Sequence, residues 1–162
     1  VIGGFRMIEE NKEYKQMKIG RIKEGTVIDH IPPGLCFRLI NILSLERYNN
    51  VLSAATNLTS AKLGKKGMIK ISGKILTEEE VKKVAVVAPN VTMCTINNFS
   101  VSKKIKLTLP NEIKKITKCN NPNCITNIEG VVTNFGVLQE SPLKIKCCFC
   151  ERTINKEEIK LK

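Results

Sequence analysis

Apolar residues recur at every second position in some stretches of this chain and at every third or fourth in others, and the switches between the two periods outline its elements. Met17 to Val27 predicts a strand, with Ile19 and Ile22 apolar and Gly25 breaking the pattern. Pro32-Pro33-Gly34 punctuates the entry to a helix over 35–43, where Leu35, Leu39, Ile42 and Leu43 follow helical spacing. Val51 to Leu58 predicts a strand, Thr59 to Gly67 a polar loop, and Met68 to Ile75 another strand. Thr77-Glu78-Glu79-Glu80 reads as a capping box, with Thr77 accepting from the amide of Glu80 and Glu80 reaching back to Thr77. The helix it opens carries Val81, Val84, Ala85 and Ala88 on one face and must stop before Pro89. Val91 to Phe99 predicts a final strand.

Strand, helix, strand, strand, helix, strand is the order of an α+β, ferredoxin-like βαββαβ domain, an antiparallel sheet with both helices on one face. The character of the chain changes near Pro110, after which cysteines crowd together and turn residues become frequent. The expected organisation is a flexible N-terminal extension over 1–16, a first domain over 17–107, and a small all-β, rubredoxin-like or zinc-ribbon domain over 112–162.

Composition narrows the class. Hydrophobic residues make up 42% of the 162, enough to build a core. No run of about eighteen apolar residues exists to cross a membrane. The N-terminus has no apolar signal core, so a cytoplasmic protein is expected. The net charge of +12 favours an anionic partner. It is unevenly spread, with 18 Lys and Arg against 9 Asp and Glu through Pro110, and 9 against 6 beyond it. Seven cysteines without a secretory signal favour metal binding over disulfides.

The sharpest chemistry lies in those cysteines. Cys119 and Cys124 have four residues between them, Cys147 and Cys150 have two, and 22 residues separate the pairs. Two short-spaced pairs on two turns supply the tetrahedron of soft ligands that zinc prefers. Four thiolates leave no position for water, so one structural zinc per chain is expected rather than a catalytic one. Such an ion would let a domain of about fifty residues fold despite its small core. Cys148 lies inside the second turn and is read as a spectator, because a Cys-x-Cys bite is less usual. Cys36 and Cys94 are read as core fillers.

Elsewhere the residues alone say less. Asp29 precedes His30, the single histidine, and no serine or cysteine partner sits nearby in sequence to make a triad. His30 reads as a surface or capping residue, and Asp29 as a helix cap or a ribose ligand. Lys70, Lys103 and Lys104 are natural partners for phosphate but equally ordinary solvated lysines. A nucleic-acid-binding zinc ribbon is the main rival reading. With 4% aromatic residues and no tryptophan there are few platforms for base stacking. A small enzyme is disfavoured by the lone histidine and the closed metal site.

GTVIDHIPPG, GKKGMIKI, TINNF before a lysine pair, CNNPNCI and CCFCE resemble, in order and spacing, the regulatory chains of aspartate carbamoyltransferase over roughly residues 18–160. The resemblance implies a non-catalytic subunit that binds CTP, UTP or ATP and controls a catalytic chain in pyrimidine synthesis. It implies a homodimer through the nucleotide domain, with neither a nucleic-acid nor a membrane partner. It also implies roles for particular residues. Asp29 would contact ribose and His30 the phosphate side. Lys70 would reach ribose and base, Lys104 the phosphates, and Lys66 the triphosphate entrance. Ile22, Phe99 and Val101 would grip the base. Asn121, Asn123 and Glu151 would face the catalytic chain. Cys94 stands where well-known members place an asparagine near the nucleotide, and Phe99 where they place a tyrosine.

Overall fold

In a computed structural model of the chain, residues 20–161 are described. The expected extension over 1–16 and the expected strand start at Met17 lie outside them. The first strand, β1, runs Gly25–Ile31. It therefore begins where the sequence pattern was expected to break. Gly25 has φ 133, and any Cβ there would collide with the carbonyl of Ile71 on the neighbouring strand. The glycine is thus what admits the chain to the sheet. Asp29 and His30 consequently belong to a strand and not to a helix cap; Gly34 occupies the N-cap position of α1, Leu35–Ile42, with no side-chain cap.

β2 (Leu52–Ser60) and β3 (Gly64–Ser72) form a long hairpin. The segment 59–67, expected as a loop, is mostly strand with a turn at its centre. Its polar alternation is that of a hairpin end with both faces wet, which periodicity alone reads as coil. A bulge near Asn57, whose φ is 60, lets the pairing resume at Leu58 and Lys66.

α2 spans Glu78–Val87. The capping box is formed at both ends, with the amide of Glu80 donating to Thr77 Oγ1 at 3.3 Å and the amide of Thr77 donating to Glu80 Oε2 at 2.8 Å. β4 (Thr92–Asn97) turns through Asn98 and Phe99, both with positive φ, into β5 (Ser100–Lys106). That last strand was not anticipated, because its three charged or polar positions in a row, Ser102 to Lys104, hide any period.

The five strands lie in the order β2-β3-β1-β4-β5, and every neighbouring pair is antiparallel. One face is covered. Ile28 of β1, Ile69 and Ile71 of β3 and Met93 of β4 pack with Cys36 and Leu39 of α1 and Val84 and Ala85 of α2 in one apolar cluster. The approach of α1 is close enough that a Cβ on Gly67 would strike Cys36 Sγ. Among the described residues the opposite face carries no helix.

The second domain holds short strands. β6 (Glu112–Lys114), β8 (Asn134–Glu140), β9 (Leu143–Cys147) and β10 (Thr153–Asn155) make a sheet of order β10-β9-β8-β6, and β7 (Thr117–Lys118) pairs with β11 (Lys160–Leu161). A single helical turn, α3, spans Ile125–Ile128. Ile113, Ile116, Phe135, Ile145 and Ile154 form its core together with three of the cysteines. Val86 of α2 joins this second cluster, and Leu161 touches both, so the two cores meet at a seam.

Candidate functional site

The metal site follows from two turns. Cys119 and Cys124 bound the turn that leads into α3, with Cys124 at its N-cap, and Cys147 and Cys150 flank the turn after β9. Their four sulfurs lie within 4.8 Å of one another. Cys119 and Cys150 are 3.6 Å apart, Cys124 and Cys147 3.9 Å. Sulfurs 2.3 Å from the centre of a tetrahedron are separated by about 3.8 Å, so the cage fits a four-coordinate ion. Cys148 is exposed and outside the cage. Its amide donates to the carbonyl of Asn134 at 2.9 Å, which fixes the turn and aims the thiol outward.

Polar groups hold the cage in shape. The Asn127 side-chain amide donates to the carbonyls of Cys119 and Asn121 at 2.9 and 2.7 Å, bracing the first turn. Thr126 Oγ1 donates to Cys124 Sγ at 3.2 Å. Neither residue was singled out from the sequence, although a Thr and an Asn two and three places after a ligand cysteine are the kind of supporting shell a metal turn needs. Without an ion, burial pushes the Cys119 thiol up to about 12 and raises Cys147 as well. Burial also pushes on Cys150, but hydrogen bonds from the Arg152 backbone, the Asn121 side chain and neighbouring thiols outweigh it and bring Cys150 down to about 7.

The first domain assembles a different constellation on its open sheet face. Lys70, Val27, Cys94 and Lys104 are register partners across β3, β1, β4 and β5. They form one line on the face away from the helices, with the two lysine backbones about 14 Å apart. Asp29 lies two residues beyond Val27, and Lys66 four before Lys70, so alternation puts both on the same face. Val101 pairs with Ile96, two residues from Cys94, and joins them after a bulge.

Within that face Asp29 is already engaged. Lys66 Nζ lies 2.8 Å from Asp29 Oδ1 and 2.9 Å from Oδ2, and both side chains are about four-fifths buried, at 17% and 20% exposure. The amide of His30 adds a 2.7 Å bond to Oδ1. His30 Nδ1 sits 3.4 Å from Oδ2, near enough for attraction but not aligned, and it has no hydrogen-bond partner among the described residues. Lys104 is exposed at the rim. Cys94 lies between Asp29 and Lys104. Burial raises its thiol, with the lysine opposing and the aspartate adding to the effect.

A short segment closes one end. Lys70 Nζ donates to the carbonyl of Gly20 at 2.9 Å. Arg21 Nη2 donates to the carbonyl of Phe99, and the amide of Phe99 donates to the carbonyl of Lys23, each at 2.9 Å. Ile22, half-buried, is thereby brought against the β4–β5 turn. The amide of Phe99 is spent, but its carbonyl keeps a second lone pair. Arg21 and Lys23 escaped the sequence reading, since nothing in a segment that reads as strand marks its reach to a turn 78 residues away.

A helix-backed sheet with a cationic open face, joined to a closed four-thiolate knuckle, defines a two-domain binding chain organised round a metal centre. Models of the aspartate carbamoyltransferase regulatory chain match it twice, the allosteric domain over residues 17–108 and the metal binding domain over 111–160. Aspartate carbamoyltransferase regulatory chains from Pyrococcus horikoshii and Thermococcus onnurineus are 50% and 47% identical over 146 and 145 residues, covering 89% of this chain and 96% of each relative. One from Parabacteroides distasonis is 43% identical over 148 residues, 91% of this chain and 96% of its own length. The chain belongs to the aspartate carbamoyltransferase regulatory chain family. It is a non-catalytic, regulatory subunit with a four-cysteine metal site.

Proposed function

We propose that the open face of the first sheet is the effector site for CTP, UTP and ATP, and that the four thiolates hold one zinc ion whose domain grips the catalytic chain. The observation that carries the first part is the line Lys70, Val27, Cys94, Lys104 with Asp29 beside it, on a sheet face that no helix among the described residues covers.

The charges divide the work. Lys66 is largely neutralised by Asp29, so the exposed Lys104 supplies the first attraction for a triphosphate, and His30 lies within the same cluster. Lys70 and Asp29 flank the position of the sugar. The base lies toward Ile22, Val101 and the Phe99 turn, where backbone carbonyls read its edge and apolar side chains cover its face. Cys94 contributes a thiol to the floor and offers no side-chain amide to the nucleotide.

A ferredoxin-like arrangement of the first domain, over 17–107, is supported by the sheet order. The second, over 112–162, has the short strands and paired cysteine turns of a rubredoxin-like or zinc-ribbon domain. Sulfur separations near 3.8 Å and an all-thiolate donor set favour zinc as the ion. Asn123 and Glu151 are exposed beside the knuckle, and Ile125 and Ile128 of α3 add apolar surface there, at 41% and 67% exposure, as a docking face needs. Asn121 serves both the knuckle and this face. Pairing of two regulatory chains is served by β2. That edge strand carries no charged residue, whereas the opposite edge, β5, carries three lysines that discourage strand addition. The subunit works in the cytoplasm, without nucleic acid or membrane.

Coupling between effector and catalysis in such systems amounts to about 1–3 kcal/mol. The test begins with calorimetric titration of the metal-loaded chain with CTP and then ATP at two salt concentrations. Saturable binding with mutual displacement is expected; no binding of either nucleotide defeats the effector assignment. Lys104→Ala should weaken CTP about tenfold, the worth of one charge-assisted contact, and leave assembly intact. Unchanged CTP affinity removes Lys104 from the site.

A further inference from the structure

One cleft among the described residues lies away from both sites. It is about 750 Å³ and opens at the seam between the domains, walled by Phe37, Arg38 and Ile42 of α1, Lys83 of α2, and Ile159 and Leu161 of the C-terminal segment. Its size falls in the range of small-molecule sites. Phe37 is 70% exposed within a helix whose other face is fully buried, so its ring is held on the cleft wall and not in the core.

Its charge is one-sided. No acidic side chain lines it. Arg38 is half-buried and has no hydrogen bond or ion pair among the described residues. Lys83, at 18% exposure, has Glu79 only at 3.7 Å, on the outer side of the same helix. Lys156 borders an adjoining hollow that Arg38 shares. Arg38, partly desolvated and unpaired among the described residues, is costly unless an anion completes it, and Lys83 is met only by Glu79 at 3.7 Å. Beside them the apolar wall of Phe37, Ile42, Ile159 and Leu161 would repel a bare inorganic anion's hydration shell but welcome an apolar body.

We propose that this seam is a second binding site, for a small organic anion with an aromatic or branched apolar body, its charged end between Arg38 and Lys83. The ligand touches both domains at once. Leu161 packs against both cores, and Val86, from the helix that carries Lys83, packs in the second. Occupancy therefore braces the two domains against each other, independently of the nucleotide face.

The probe is 2-naphthoate, with 2-naphthalenemethanol as its uncharged match. The metal-loaded full-length chain is titrated with each while the methyl resonances of Ile42, Ile159 and Leu161 are followed. Saturable shifts at those methyls with naphthoate are expected, at least about tenfold weaker with the alcohol or in Arg38→Gln, and retained in Arg38→Lys. Three results overturn the site: no shift at these methyls, as when a second copy or another segment fills the cleft; equal response to acid and alcohol; or shifts spread equally over the exposed Val101 and Ile128. CTP titrated in the same samples reports on the sheet face alone, so failure of either assignment is read separately.

Discussion

Cys119 and Cys150 sit 3.6 Å apart and yet their thiols are shifted in opposite directions in the metal-free chain, because burial dominates at the first and hydrogen bonds at the second. Near neutral pH, Cys119 and Cys147 are thiols that an incoming ion must deprotonate. Metal affinity should therefore rise with pH, by about a hundredfold per pH unit from those two protons alone. Chelator competition at two pH values half a unit either side of neutrality measures this, and a flat profile would exclude it. The spacing of the four ligand cysteines was legible in the chain. The choice of Cys147 over Cys148 became a matter of geometry only when the amide of Cys148 was seen tied to Asn134. Asp29 shows the reverse. Its sequence neighbourhood says nothing of Lys66, 37 residues on, because the pairing exists only through strand register.

At the scale of elements, α2 is the clearest case of local determination. Thr77 and Glu80 specify its start, and Pro89 follows its end. Glu80 does more than cap, since Lys74 Nζ lies 2.7 Å from Oε1. Burial pushes the Glu80 carboxyl up, but Lys74 and the Thr77 amide together pull it below the ordinary carboxylate value of 4.5. A depressed folded pKa contributes stability that is present above 4.5 and is lost as pH falls through the folded value. Glu80→Gln should thus cost about 1 kcal/mol at neutral pH. Melting curves of the two proteins should converge as pH falls well below the ordinary carboxylate value; a gap that persists in strong acid would mean that the loss is steric. β1 and β5 are the opposite case. β1 begins at a glycine that the pattern reads as a break, and β5 is a run of lysines whose strand state is imposed by pairing with β4.

The whole molecule joins a core that stands on apolar packing to one that also contains its metal ligands. Stripping the ion should release amide protection at Ile113, Phe135 and Ile145 while Ile28, Ile69 and Val84 keep theirs, which hydrogen exchange would resolve by residue. Cys119→Ser should likewise stop the chain from co-eluting with the catalytic chain. Continued co-elution would separate assembly from the metal. Because Val86 and Leu161 cross the seam, some loss of protection at the C-terminal end of α2 is expected as well.

The sequence by itself determined the two-domain order, both helices of the first domain, the capping box and the four ligand cysteines. Each of these is encoded by residues within a few turns of one another, so periodicity and spacing carry them. Only the tertiary structure decided which lysines share a face with Asp29, that residues 20–23 close over the Phe99 turn, and that Arg38 and Lys83 flank one cleft. Those relations join residues tens of positions apart through strand register and helix packing, and no local pattern records them.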